Sequence, residues 1–127
     1  YNIEIIKRSI LEMSNETKYY KKKKKQFSIS QIKNNVHEFY QSYSKKLNID
    51  KIFLFGSYAK QKNDEYSDID LLVFYKGNKI DVSLNDLIIK TVLFNEYEMS
   101  VDAVPIIEEN GLDSFDEKVM SYAIRLI

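Results

Sequence analysis

Lys51-Ile-Phe-Leu-Phe-Gly-Ser-Tyr-Ala-Lys-Gln-Lys-Asn-Asp-Glu-Tyr-Ser-Asp-Ile-Asp-Leu-Leu-Val-Phe74 is the stretch on which the reading of the whole chain turns. Ile52 to Phe55 is a short, continuous apolar run rich in β-formers that stops at Gly56-Ser57, the pattern of a core strand entering a tight turn. Glycine frees the backbone at that point, and Tyr58 to Lys62 can follow as a short helix with Ser57 near its start. The unpaired N–H groups of such a turn suit a phosphate. After ten further residues comes Asp68-Ile69-Asp70, and then Leu71 to Phe74 as a second buried strand. Side chains alternate along a strand, so Asp68 and Asp70 share a face, with Cα atoms about 6.6 Å apart. Two ionised carboxylates at the edge of an apolar sheet repel each other unless a cation lies between them. Oxygen-only ligands suit Mg²⁺ or Mn²⁺, which share their remaining positions with water and substrate phosphates. A phosphate-holding turn beside paired carboxylates is the equipment of metal-assisted phosphoryl or nucleotidyl transfer.

Gly56-Ser57, the ten-residue interval and Asp68-Ile69-Asp70, each motif on its own apolar strand, resemble the signature of the DNA polymerase β-like nucleotidyltransferase superfamily. Gly-Ser-Tyr-Ala-Lys together with Ser67-Asp-Ile-Asp-Leu is similar to its minimal nucleotidyltransferase branch. The likeness covers Phe53 to Val73. It departs from the usual wording at Lys60, where arginine is common, and at Gln61, where glycine is common; a lysine keeps the charge without the bidentate fork. The resemblance implies an α+β fold, with a small mixed sheet of at least three strands and helices packed on one side. It also implies three carboxylates, Asp68, Asp70 and Asp102, as catalytic residues and ligands of two Mg²⁺ ions. Gly56, Ser57 and Lys60 are implied to bind the nucleotide, which is ATP.

The remaining elements read as support. Ile3, Ile6, Ile10 and Met13 fall at helical spacing and predict an opening amphipathic helix. Lys21 to Lys25 is a self-repelling run, expected as an exposed loop or a frayed helix extension, with direct nucleic-acid binding not favoured. Ser28 or Ser30 can cap a helix whose stripe is Ile32, Val36, Phe39, Tyr40, Tyr43 and Leu47. A third helix is predicted from Ser83 or Asn85, with Leu84, Leu87, Ile88, Thr91 and Val92 inward. Met99 to Val104 alternates as a strand that stops at Pro105. Asp102 lies inside it, where a charge needs a partner; Asp81 and Asp86 compete for the same role. Ser114 with Glu117 has the form of a capping box for a last helix carrying Phe115, Val119, Tyr122 and Leu126.

At 127 residues, 44% of them hydrophobic and 30% charged, the chain is expected to form one domain, 1–127, with N-terminal helices in 1–47 and a catalytic core in 48–127. The lack of cysteine excludes disulfides and thiolate metal sites, and a single histidine, His37, excludes a histidine cluster. No apolar run is long enough for a membrane span and no signal-peptide pattern is present, so a cytoplasmic site is expected. The net charge of zero conceals an asymmetry: residues 1–62 hold 14 basic and 5 acidic side chains, and residues 63–127 hold 5 and 14. Such a dipolar molecule can dock a partner in one orientation. Minimal nucleotidyltransferases of this size resemble the antitoxin of two-component systems, which implies a HEPN-type toxin as partner and AMP transfer from ATP to one of its tyrosines. Two other functions remain open at this stage: transfer to a small molecule or RNA end held by a separate subunit, and a non-catalytic module that covers a partner.

Overall fold

The structure, a computed structural model, describes residues 22–127 together with Ile3 and Ile6. Beyond those two residues, the expected opening helix, including Ile10 and Met13, lies outside the described residues, as does Lys21. Helix α1 spans Ile29–Leu47, and Ser28 is its cap: the Ser28 hydroxyl accepts from Gln31 N at 3.0 Å while Gln31 Oε1 accepts from Ser28 N at 2.8 Å. Asn48, left-handed at φ 57°, ends the helix and turns the chain into strand β1, Ile49–Phe55. One helical turn, α2 (Gly56–Ala59), leads by a polar loop to β2, Ile69–Tyr75. Helix α3 (Val82–Tyr97) then carries the chain back to β3, Val101–Ile107. A 3₁₀ turn at Glu108–Asn110, helix α4 (Ser114–Met120) and a two-residue strand β4 (Ile124–Arg125) complete the order.

The four strands form one mixed sheet in the order β3-β2-β1-β4. β1 runs antiparallel to β2 and to β4, whereas β2 and β3 are parallel, a pairing that needs the α3 crossover. Ile69, Leu71, Val73 and Tyr75 point from β2 into the larger core, against Ile32, Val36 and Phe39 of α1 and Ile89, Val92 and Leu93 of α3. Leu72 and Phe74 point to the other face, where Phe55, Ile106 and Val119 cover them.

Four expectations are corrected by this arrangement. Helices cover both faces of the sheet, because α4 packs opposite α1 and α3. β3 continues through Pro105 to Ile107; it is an edge strand, where a residue without an N–H is tolerated. Helix α3 starts earlier than predicted: Asp81 caps it, accepting from Leu84 N at 3.0 Å, and its buried residues are Asn85, Ile89, Thr91, Val92 and Leu93, so Thr91 and Val92 face inward as expected while Leu84, Leu87 and Ile88 are only half-buried. With apolar residues nearly all round, that helix left its inward face undecided by periodicity. The last helix is capped by Asp113 with Asp116, not by Ser114 with Glu117, and stops at Met120, so Leu126 reaches the larger core from beyond β4.

Candidate functional site

At the end of β1 the backbone turns at Gly56 with φ +70°, a left-handed conformation that favours glycine. Glycine is required there for a second reason. A Cβ on Gly56 would overlap Asp70 Oδ2 and stand 2.8 Å from its Cγ and 3.1 Å from its Cβ. The antiparallel register produces this approach, since Phe55 is the partner of Asp70. The turn is closed by Lys60 N donating to Gly56 O at 3.1 Å and Lys62 N donating to Ser57 O at 2.8 Å.

The parallel register of β2 and β3 sets Asp70 against Asp102, and Ile69 N donates to Ser100 O at 2.9 Å. Asp70 and Asp102 thereby stand side by side on the face shared with Leu72 and Phe74, with Asp68, just before β2, close enough for its charge to act on both. Asp70 is the deepest of the three in electrostatic terms. Loss of solvation, followed by the charges of Asp102 and Asp68, pushes its carboxyl up to about 6. Asp102, on the edge strand, is also raised, by loss of solvation and by Asp68, with Lys90 acting in the opposite direction. Of the competing acids, Asp81 caps α3 beyond the far end of β2, and Asp86 pairs with Lys90 at 3.3 Å on α3. Lys60, predicted to face the nucleotide, has its Nζ over the Tyr122 ring, 4.4 Å from the centroid. His37 is exposed on α1.

Three residues of the site escaped the sequence reading. Lys24 Nζ lies 2.5 Å from Asp68 Oδ1 and 3.1 Å from Tyr66 O. Ser100 Oγ donates to the same Asp68 oxygen at 2.7 Å. Lys90 Nζ lies 3.9 Å from Asp102 Oδ1 and so links α3 to the site. A parallel pairing of Ile69 with Val101 places Ser100 beside Asp68, a signal available once that register is assumed. Lys24 carries no local signal that separates it from its neighbouring lysines. Lys22, Lys23 and Lys25 are exposed as expected, but Lys24 is partly buried.

An oxygen-only set of three mutually repelling carboxylates, one of them lifted to about 6, is the donor chemistry that a hard dication satisfies. In the described residues no three of His, Cys, Asp and Glu yet converge on one point, and the positive charge at Asp68 is that of Lys24.

The model of the nucleotidyltransferase domain matches residues 29–126, which span α1 to β4 and contain all three carboxylates. The chain belongs to this nucleotidyltransferase family. The four-stranded mixed sheet with its helices is the polymerase β-like nucleotidyltransferase fold expected from the Gly-Ser and Asp-x-Asp motifs. Solved structures share the fold with this nucleotidyltransferase at low identity. One is a toxin–antitoxin with AMP-PNP, 20% identical over 75% of this chain and 72% of that one, with a TM-score of 0.58. Another is a mutant of the MntA-HpeT toxin-antitoxin, 18% identical over 75% and 72%, with a TM-score of 0.59. A third is the tri-AMPylated HEPN toxin of Shewanella oneidensis in complex with MNT antitoxin, 19% identical over 74% and 70%, with a TM-score of 0.51. No curated protein sequence matches this nucleotidyltransferase. No helix among its described residues is long and apolar enough to cross a membrane.

Proposed function

We propose that this nucleotidyltransferase moves AMP from ATP to a tyrosine hydroxyl of a HEPN-type toxin, in the cytoplasm and with Mg²⁺, and so acts as the antitoxin of that pair. One observation carries the reading: Asp70 is pressed onto the Gly56 turn and set beside Asp102 by the strand register, so an acidic cluster borders a glycine-serine turn. Relatives in fold add weight, since one was solved with AMP-PNP and another holds an AMPylated HEPN toxin.

Asp68 and Asp70 are the carboxylates that would hold Mg²⁺, with Asp102 completing the acceptor side. When bound, the metal would supply positive charge that offsets the repulsion among these carboxylates and the charge of the leaving pyrophosphate. Ser57 and the backbone at Gly56 hold the β and γ phosphates, and Lys60 contributes a point charge nearby. Asp102 accepts the proton of the attacking hydroxyl. The tyrosine oxygen then bonds to the α-phosphorus as the bond from that phosphorus to the bridging oxygen breaks, and pyrophosphate departs with the bond's electrons. On this reading the toxin itself brings the acceptor hydroxyl to the site.

The test is incubation with α-labelled ATP, Mg²⁺ and the protein encoded by the adjacent gene, followed by mass mapping. Label on a toxin tyrosine is the expected result. Label confined to RNA or a small molecule, or no transfer to any of these, would overturn the proposal.

A further inference from the structure

Residues 22–27 are not helical, and they run along the loop between α2 and β2. Lys24 N donates to Glu65 O at 2.7 Å, Gln26 Nε2 donates to Asp64 O at 3.0 Å, and Asn63 Nδ2 donates back to Gln26 Oε1 at 3.1 Å. Lys23 adds an ion pair with Glu65 at 3.5 Å. These bonds fix the backbone of the segment, so the Lys24 ammonium is delivered to one place. There it meets Asp68 Oδ1 and the Tyr66 carbonyl, with the Lys24 side chain 26% and the Asp68 side chain 33% exposed.

From this geometry we infer that Lys24 is a resident cation of the site, which occupies the Asp68 carboxylate and must withdraw before a divalent ion can use that oxygen. The inference rests on the reading of Asp68 as a metal ligand. Oδ1 already receives the Lys24 ammonium and the Ser100 hydroxyl. An ammonium at contact distance and a dication cannot share that oxygen, because both the space and the charge are taken. Lys24 therefore sets the cation affinity of the site, and the 22–27 segment is loosened when the site fills.

The test uses the full chain and Mn²⁺ alone as probe, with affinity read by electron paramagnetic resonance. Lys24→Met should bind Mn²⁺ about three- to tenfold more tightly than wild type, the range for removing one partly screened ion pair. Lys23→Met removes the same charge one residue away and should shift affinity by less than about twofold. Covalent acetylation of unmodified protein gives an independent reading: Mn²⁺ should speed modification of Lys24 several-fold and leave Lys23 nearly unchanged. Equal Mn²⁺ affinity in wild type and Lys24→Met, with constant Lys24 reactivity, would overturn the inference and leave the metal reading standing. Failure of both proteins to bind Mn²⁺ would overturn the two together.

Discussion

Gly56→Ala is the most demanding test of the site's construction, because two separable costs meet at one atom. The first is conformational: alanine at φ +70° pays roughly 1–2 kcal/mol for the left-handed region. The second is steric, since the added methyl would overlap Asp70 Oδ2 and lie 2.8 Å from Cγ. Swinging the carboxylate aside relieves the contacts with Oδ2 and Cγ, but Asp70 Cβ stays 3.1 Å away and must give by a few tenths of an ångström. Overpacking of this kind costs about 1–3 kcal/mol, for a total of about 2–5 kcal/mol. That is a large part of the stability of a small domain, typically about 5–15 kcal/mol. Urea unfolding followed by tyrosine fluorescence measures it cleanly, since the chain has 10 tyrosines and no tryptophan. The steric part is isolated by repeating the substitution in an Asp70→Ala background, where only the backbone cost and the mild Cβ contact remain. A coupling of about 1–3 kcal/mol between the two positions is expected. Additive costs, or a Gly56→Ala protein as stable as wild type, would refute the close packing of the turn on Asp70.

Three further outcomes are expected. Asp70 has its folded carboxyl raised from 3.8 to about 6, so the folded state binds more protons between those values and stability falls as pH rises through that window. Asp70→Asn should remove this loss, worth about 1–2 kcal/mol after solvent screening, and urea midpoints at low and neutral pH in chelator should diverge from wild type; parallel curves would contradict the account. Asp102→Asn keeps the shape but cannot accept the hydroxyl proton, so transfer should drop by about two to four orders of magnitude while Mg·ATP still raises the melting temperature; wild-type transfer would remove Asp102 from the site. Asn85 is buried and donates to Leu47 O at 3.0 Å, so Asn85→Ala should cost about 1–3 kcal/mol by stranding that carbonyl at the end of α1, and a cost near zero would mean water replaces the amide.

The organising unit was legible from sequence because its signals are local. Apolar runs of strand length and a glycine between them are set by neighbouring residues, so the Gly56 turn, β2 and β1 from Ile52 onward could be read directly, although β1 begins at Ile49. The Ser28 cap and the α1 stripe were legible for the same reason. Elements that misled had two equivalent local solutions. Asp113 and Ser114 both offer a capping side chain, and only the start of the hydrogen-bonded turn chose Asp113. Residues 121–127 continue a helical pattern, yet pairing of Phe53 with Arg125 and Leu54 with Ile124 draws them to the open edge of β1.

Tertiary structure decided what depends on register between distant strands. That Asp102 stands beside Asp70 follows from the parallel pairing of β2 with β3, which no local pattern specifies. That Gly56 must lack a side chain follows from the Phe55 and Asp70 pairing across the hairpin, beyond any need of its own backbone. Lys24 is the sharpest case, because its separation of 44 residues from Asp68 makes their contact invisible to composition or periodicity. By itself the sequence determined the kinds of groups at the site, a glycine turn and a set of carboxylates. The fold determined their company, since only chain closure brings a lysine and a serine onto one oxygen of Asp68.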